Sequence, residues 1–345
     1  MKQFTLAMLA ITLLFSCKKD DDEDPVQLPS TDERTVIIGN EGNFGSGNAE
    51  LGIWGLESNI YAHGAYQEAN GEVFGDVFQS YYRDGDRVFW VINSSGKIIA
   101  TDLEGNKIGE ITGLGSPRYF LPVDDQFAYV TDLFSGSITV VNHQTFAVDH
   151  IISTFEEASE ELFLVGDKVY AIGSTLVDNV NFIYDYSVIE INISDESIQY
   201  APVPHSVRDA EVNAMGDLLL AGSDSEFAPK LSVYSTWAGT FTDGLTEFSA
   251  GSISNVGVNT STGEVYGLLD GDVYTLDIAN NTMELITDLD LGFGYGFRVD
   301  NTFNEIYVCD AADFVSDGTV YRISNTGSIL NEITAGPLPK DVLIP

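Results

Sequence analysis

The chain has 345 residues, and a hydrophobic share of 44% with 20 phenylalanines supplies ample material for a packed core. Its 53 acidic residues outnumber 15 basic ones, for a formal net charge of −38. A surface of this sign repels nucleic-acid phosphates and anionic lipid headgroups. The composition therefore argues against nucleic acid and against peripheral membrane binding through charge.

The N-terminus has the pattern of a lipoprotein signal peptide. An apolar run from Phe4 to Phe15, too short to span a membrane, ends just before Cys17. We expect residues 1–16 to be a signal peptide and Cys17 to be the lipidated N-terminus. The alternative is an ordinary secretory signal with an incidental cysteine. Because Cys309 is the only other cysteine, no intramolecular disulfide is expected after lipidation.

Residues 17–34 are predicted to form an acidic, disordered tether. The segment from Asp20 to Asp24 is entirely acidic, and such high charge with low hydrophobicity favours a solvated chain. Beside a lipid anchor, this run is similar to the surface-export signal of some Gram-negative lipoproteins. We therefore expect a protein anchored to the outer membrane and displayed at the cell surface, and a periplasmic location stays open.

Residues 35–345 contain one recurring unit of four short β-type runs separated by turn residues, seen most clearly from Ser116 to Ser153. The second run of the unit recurs seven times, at Val36–Ile38, Val88–Val91, Ala128–Val130, Val169–Ala171, Leu218–Leu220, Val265–Gly267 and Ile306–Val308. Four strands in about 40–50 residues is the spacing of a propeller blade. The sequence therefore predicts an all-β, seven-bladed β-propeller over residues 35–345.

The two ends of this region predict how the ring closes. Thr35–Ile38 already has the composition of a second strand, so the first copy lacks its opening strand. The C-terminal residues Gly336–Ile344 are similar to the opening strand at Gly115–Leu121. We therefore expect the C-terminus to supply the first strand of the first blade, which removes a free sheet edge.

Polar side chains recur where the first strand of each blade starts, near one mouth of the expected channel. Aligned on the second strands, this position holds Gln79, Arg118, Ser159, Arg208, Asn255, Gly296 and Lys340. Arg298 follows the glycine by two residues, on the same side of the strand. Aromatic residues fall at the same end, among them Tyr119, Phe134, Tyr184 and Phe297. The predicted ligand-binding set takes from these positions Gln79, Arg118, Tyr119, Phe134, Tyr184, Arg208, Asn255, Phe297 and Arg298.

Two interpretations of this mouth stay open. In the first, neighbouring acids (Glu160, Glu161, Asp209 and Asp341) neutralise the cations in a polar plug, and the aromatic residues are core between blades. In the second, the arginines donate hydrogen bonds to an anionic or amide-rich ligand that is large, flat and amphipathic. The four histidines show no metal-ligand spacing and no catalytic triad pattern, so we predict no catalytic residue, no metal and no enzyme. A structural calcium stays open.

Three segments carry a family resemblance, namely Asn40–Gly45, Gly75–Ser80 and Val91–Ile98. They resemble the YncE-like surface lipoprotein propellers encoded beside TonB-dependent outer-membrane transporters, which include seven-bladed cobalamin-capturing members. The resemblance covers nearly the whole mature chain and is most specific in the first two copies. Asn43, Phe44 and Asn93 lie in these segments and complete the expected ligand-binding set.

The resemblance implies a surface lipoprotein that captures cobalamin or a similar corrinoid as a transported ligand, without a cofactor of its own. It implies hand-over to a TonB-dependent transporter. Haem or a glycan would also fit a mouth of arginines, amides and aromatics. The competing functions are a lactonase or lyase that uses a cation in the channel, and a scaffold that docks on a transporter.

Overall fold

The computed structural model describes residues 28–30, 32–154, 158–178, 183–242, 244, 245, 248, 251 and 253–345. The predicted signal peptide, Cys17 and most of the predicted tether lie outside the described residues. The described chain forms seven four-stranded antiparallel sheets arranged in a ring. This arrangement confirms the predicted all-β, seven-bladed propeller.

The strands follow the predicted order, with one sheet completed from both ends of the chain. Blades 1 and 2 begin with β1 (Thr35–Asn40), β2 (Glu50–Gly55), β3 (Tyr61–Ala62), helix α1 (Ala65–Asn70), β4 (Phe78–Asp84), β5 (Arg87–Ile92), β6 (Lys97–Thr101) and β7 (Lys107–Thr112). Blades 3 and 4 contain β8 (Pro117–Pro122), β9 (Phe127–Asp132), β10 (Ser137–Asn142), β11 (Ala147–Ser153), β12 (Ala158–Val165), β13 (Lys168–Asp178), β14 (Ile183–Asn192) and β15 (Ile198–Val203). Blades 5 and 6 contain β16 (Ser206–Val212), β17 (Leu218–Ser223), β18 (Pro229–Ser235), β19 (Thr240–Thr242), β20 (Ile253–Val258), β21 (Val265–Leu269), β22 (Asp272–Asp277) and β23 (Thr282–Thr287). Blade 7 contains β24 (Gly294–Asp300), β25 (Glu305–Asp310), β26 (Asp317–Ser324) and β27 (Ile329–Pro337), and β28 (Pro339–Leu343) ends the chain.

The C-terminal strand closes the ring. β28 pairs antiparallel with β1, with Leu343 opposite Ile37 and Val342 opposite Ile38. It also contacts β24 of blade 7 and β4 of blade 2, so it occupies the innermost position of blade 1. The other innermost strands contact one another in the same way around the channel. The predicted closure is therefore confirmed, and blade 1 has no unpaired inner edge.

The hydrophobic core lies between the blades rather than within one sheet. Large aromatic residues at the centres of second strands are almost fully buried, among them Trp90, Tyr129, Tyr170, Tyr266 and Tyr307. The cluster around Trp90 combines residues of blades 1 and 2, and other clusters join blades 3 with 4 and 6 with 7. A single sheet could not cover both faces of such a strand, which is why the unit needs copies of itself.

A short helix, α1, forms in the connection from blade 1 to blade 2 of the otherwise all-β fold. α1 lies between Gly64 and Gly71, whose φ angles of 63° and 69° suit glycine at each end. It buries Tyr66, whose ring packs 5.0 Å from that of Phe74. None of the helices in the described part of the chain is long and apolar enough to cross a membrane.

Candidate functional site

A register irregularity recurs in the innermost strand of all seven blades, close to the same mouth of the channel. The residues that these bulges leave out of the ladder are Gln79, Arg118 with Tyr119, Glu160 with Glu161, Arg208, Ser254, Tyr295 and Lys340. A β-bulge breaks the alternation of a strand and turns a side chain in a new direction. In six blades these residues turn toward the centre of the ring, whereas in blade 6 Asn255 does so and the Ser254 hydroxyl donates to the Leu268 carbonyl oxygen at 3.2 Å.

These bulges surround a cavity of about 1200 Å³ at the mouth. Its wall holds nine predicted ligand-binding residues, Gln79, Arg118, Tyr119, Phe134, Tyr184, Arg208, Asn255, Phe297 and Arg298. Lys340 and Asp341 of the closing strand complete the wall on the side of blade 1. Pockets for drug-sized ligands span roughly 300–1,000 Å³, so this cavity suits a larger molecule.

The other three predicted residues lie outside the cavity wall. Asn93 uses its side-chain amide to donate hydrogen bonds to Ser116 Oγ and to the Pro117 carbonyl oxygen, at 3.0 Å each, which ties blade 2 to blade 3. Asn43 donates to the Phe314 carbonyl oxygen at 3.2 Å and so links blade 1 to blade 7. Phe44, in contrast, is 85% exposed on a loop of blade 1.

The expected mouth position of blade 4 is wrong by one or two residues. Ser159 is fully buried, and its hydroxyl accepts a hydrogen bond from the Asp132 backbone N–H at 3.4 Å. Glu160 and Glu161 reach the cavity in its place, because the bulge in β12 skips two residues between Ser159 and Leu162. The alignment assumed regular strands and could not register this shift.

One pair of contacts joins blades 2, 3 and 4 across the cavity wall. Arg118 Nε donates to Glu160 Oε2 at 2.7 Å, and Arg118 Nη1 donates to the side-chain oxygen of Gln79. Burial lowers the pKa of Arg118, but the charge of Glu160 more than offsets this effect and leaves the pKa raised. The adjacent Tyr119 hydroxyl donates to Glu161 Oε1 at 3.1 Å. Arg118 is thus charged and held in place.

A second ion pair joins blade 7 to the closing strand. Arg298 binds both carboxylate oxygens of Asp341, with its Nη2 2.6 Å from Oδ2 and its Nε 3.0 Å from Oδ1. The guanidinium carbon lies 5.3 Å from the ring centroid of Tyr81 on blade 2. A two-pronged contact of this kind fixes the guanidinium plane as well as its charge.

The third cation, Lys340, is held by blades 1 and 7. Its Nζ donates to Glu41 Oε2 at 2.9 Å and lies 3.2 Å from the Tyr295 hydroxyl oxygen. The Tyr295 hydroxyl donates to the same glutamate oxygen, so the three groups form one network. Glu160 and Asp341 thus neutralise Arg118 and Arg298 as the first interpretation expected, whereas Lys340 is neutralised by Glu41, which that interpretation did not include.

Arg208 differs from the other cations of the cavity. Nine of the twelve described lysines and arginines lie within 4.0 Å of a carboxylate. Among the described residues Arg208 has neither an acidic partner nor a side-chain hydrogen bond, and it is exposed. Tyr184 and Tyr186 of blade 4 line the same cavity, with their ring centroids 6.5 Å apart.

Three carboxyl groups of the cavity wall, Glu161, Asp209 and Glu211, have no base of the described chain within 4.0 Å, although the charge of Arg298 lowers the pKa of the last two. Burial raises the pKa of Glu161, and the charges of Glu160 and Asp209 add to the effect. Burial also raises the pKa of Asp209 and of Glu211, although Asp209 Oδ2 accepts a hydrogen bond from the Val256 backbone N–H at 2.7 Å. These groups hold protons more tightly than surface acids do.

Sequence reasoning missed Glu211 and Tyr295 as cavity residues. Tyr295 precedes the expected position Gly296 by one residue and is the residue that the bulge of β24 leaves unpaired. Glu211 lies two residues after Asp209, and ordinary strand alternation places both side chains on the same side of β16.

The side chains of this cavity can form hydrogen bonds and stack on flat rings, and its buried carboxyl groups can exchange protons. No group of three His, Cys, Asp or Glu side chains in the described ranges is placed to hold a metal ion. The side-chain amide of Asn255 has no protein partner among the described residues, so it is free to bind a ligand, as Arg208 is. Tyrosine and phenylalanine rings supply flat apolar surface between these polar groups.

Comparisons with known proteins agree with this architecture. Among solved structures, a quinonprotein alcohol dehydrogenase-like protein from Bacteroides thetaiotaomicron has a TM-score of 0.68 at 10% identity, over 90% of this chain and 78% of that chain. A candidate 6-phosphogluconolactonase from Bacteroides fragilis has a TM-score of 0.61 at 14% identity, over 91% and 99%. Apo AztD from Citrobacter koseri has a TM-score of 0.54 at 13% identity, over 89% and 82%. At these identities the likeness shows the fold alone.

A comparison with curated proteins gave no match. The family model described as a domain of unknown function, DUF5074, matches residues 35–334, which span nearly all of the propeller. Because this match covers most of the chain, the protein belongs to the DUF5074 family.

Proposed function

We propose that the protein is a cell-surface lipoprotein that binds a corrinoid such as cobalamin at the mouth of its propeller. It passes the ligand to a TonB-dependent outer-membrane transporter and catalyses no reaction. The observation that carries the proposal is the cavity of about 1200 Å³, whose wall combines arginine and asparagine side chains with tyrosine and phenylalanine rings.

The size and lining of the cavity favour a large amphipathic ligand. Aromatic side chains contribute much of the wall, among them Tyr81, Tyr82, Tyr119, Phe120, Phe134, Tyr184, Tyr186 and Phe297. Aromatic faces bind flat ring systems, and their hydroxyl groups add hydrogen bonds at the edges. A corrin ring bearing carboxamides presents both kinds of surface at once.

The charges of the wall also favour an amide-rich ligand. Arg118 and Arg298 bind carboxylates, yet among the described residues Arg118 Nη2 and Arg298 Nη1 have no hydrogen-bond partner. Such nitrogen atoms donate to carboxamide oxygens, while Glu160 and Asp341 accept from carboxamide N–H groups. Pairing keeps these groups in position before the ligand arrives, which lowers the entropy cost of binding.

The location follows from the N-terminal pattern. A lipid at Cys17 and an acidic tether up to residue 34 would hold the propeller at the outer membrane, near a transporter. Because the net charge of −38 opposes binding to anionic lipid, the lipid anchor has to provide the attachment. Metabolic labelling with a palmitate analogue, compared between the native chain and Cys17→Ala, tests this part of the proposal.

Titration calorimetry with cobalamin tests the binding function. We expect one-to-one binding, weakened at least about 10-fold when Arg118 and Arg208 are both changed to alanine, since a hydrogen bond to a charged group contributes about 1.5–3 kcal/mol. Arg83→Ala is the control, because Arg83 is exposed and lies outside the cavity. An absence of heat and of thermal shift with cobalamin would remove corrinoids, and haem and glycans then become the next ligands to measure.

Catalysis of the lactonase or lyase type is the second candidate, and one observation favours it. The raised pKa values of Glu161 and Asp209 are typical of general acids in enzyme sites. Turnover of a panel of sugar lactones that disappears in Glu161→Gln would establish this function. Binding of cobalamin without turnover of any lactone favours the transport function instead.

A further inference from the structure

Arg208 offers a cation that no acid of the described chain neutralises. It is the bulged residue of β16, and the structure places it in the cavity wall with its side chain exposed to the cavity. The other three cations of the wall form ion pairs with Glu160, Asp341 and Glu41. The wall also holds the unpaired carboxyl groups of Glu161, Asp209 and Glu211, so Arg208 is the position of the wall at which a negative group of a ligand meets an unneutralised cation.

The neighbours of Arg208 are suited to an oxyanion. Blade 5 lies between blades 4 and 6, and β16 contacts both β14 and β20. From β14, Tyr186 lies close enough that the charge of Arg208 opposes the rise in the tyrosine pKa that burial causes. From β20, Asn255 presents an amide that has no partner among the described residues. Guanidinium, amide and phenol groups are all hydrogen-bond donors.

We propose that Arg208, with Tyr186 and Asn255, forms an oxyanion subsite that binds the phosphate or carboxylate group of the ligand and so sets its orientation in the cavity. This inference rests on the proposed function, because the same cavity holds the rest of the ligand. The neutralised cations of blades 1, 3 and 7 face the uncharged, amide-bearing part. A ligand that lacks the negative group loses the contact to Arg208 and keeps the others.

The first experiment needs no corrinoid. Inorganic phosphate is titrated into the purified protein while the arginine side-chain Nε–Hε signals are followed by NMR. We expect one signal to shift saturably and to be missing in Arg208→Gln. Arg83→Gln is the matched control, since Arg83 is also an exposed arginine without a carboxylate partner among the described residues, but it lies outside the cavity. No shift of the Arg208 signal, or the same shift in both variants, would overturn the subsite.

The second experiment compares cobalamin with cobinamide, which lacks the phosphate and the nucleotide. In Arg208→Gln we expect the affinity for cobalamin to fall about 10- to 100-fold, while the affinity for cobinamide stays within about 3-fold of the native value. Arg208→Lys, which keeps the charge but loses the planar fork, should recover part of the loss. Equal losses for both ligands, or none for either, would refute the subsite.

The two experiments separate the subsite from the proposed function. If neither corrinoid binds but phosphate still shifts the Arg208 signal, corrinoid capture fails and the oxyanion subsite stands. If both corrinoids bind and Arg208→Gln changes neither affinity, capture stands and the subsite fails. Because Arg208 makes no side-chain hydrogen bond in the described chain, Arg208→Gln should keep the native melting temperature, which calorimetry checks.

Discussion

The closing strand can be tested through one leucine. Leu343 of β28 is 2% exposed and packs in one cluster with Ile37, Val88 and Trp90 of blades 1 and 2. Leu343→Ala removes buried atoms and leaves a cavity, which costs about 2–5 kcal/mol. An unfolding entropy of about 2.1 cal/mol/K per residue over roughly 300 residues gives about 0.6 kcal/mol/K. A cost of about 3 kcal/mol therefore lowers the melting temperature by about 5 °C.

Differential scanning calorimetry measures this shift, with urea unfolding as a check. Leu330→Ala is the matched control, because Leu330 lies on β27 of the neighbouring blade and is 42% exposed. The same chemical change there should lower the melting temperature by less than about 1 °C, since exposed sites lose little on truncation. Equal shifts for the two variants would mean that Leu343 is not packed between blades and that β28 does not close the ring.

Three further predictions concern charge and backbone strain. In a double-mutant cycle measured by urea unfolding, Arg298→Ala and Asp341→Ala should show a coupling energy of about 1–2 kcal/mol, which lies between the values for exposed and buried ion pairs. If the two changes in the free energy of unfolding simply add, the two side chains do not form an ion pair. Burial raises the pKa of Glu161 in the folded state, so the native state binds more protons and stability falls as the pH rises above the pKa of the unfolded state. Glu161→Gln should abolish this loss of stability between about pH 4 and about pH 8. A pH profile of stability that is the same in both proteins would refute the prediction. Phe227 is exposed with a φ of 63°, a left-handed conformation that is strained for phenylalanine. In urea unfolding, Phe227→Gly should therefore have a higher free energy of unfolding than Phe134→Gly, by about 1–2 kcal/mol. Equal free energies would mean that the backbone at Phe227 carries no strain.

The sequence was sufficient for the architecture because each copy repeats the same physical need. An aromatic such as Tyr129 or Tyr170 at the centre of a strand has to be covered on its side by another sheet, and turn residues mark where the strand ends. The number of blades follows from counting such strands. Closure was predictable from the similarity of Gly336–Ile344 to an opening strand, and the pairing of β28 with β1 confirms it.

The fine structure of the site was less predictable, for two physical reasons. A bulge inserts one or two residues without a sequence marker, so Ser159 was expected where Glu160 and Glu161 lie. Polar side chains also serve two purposes that composition cannot separate. Asn93 looks like a ligand donor in the sequence, but its amide joins two blades. Arg208 has the same residue type as Arg118, and only the fold shows which of them is neutralised.

The difference between arginines that are paired with a carboxylate and an arginine that is not explains how one mouth can serve both stability and binding. Arg118 with Glu160 joins blades 3 and 4, and Arg298 with Asp341 joins blades 7 and 1, so loss of either cation loosens the ring and the site together. Arg208 forms no ion pair between blades among the described residues. Substitution of Arg118 or Arg298 should therefore lower both the melting temperature and the ligand affinity, whereas substitution of Arg208 should lower the ligand affinity alone. If substitution of Arg208 lowers the melting temperature as well as the affinity, the guanidinium group interacts with the protein itself and is not available to a ligand.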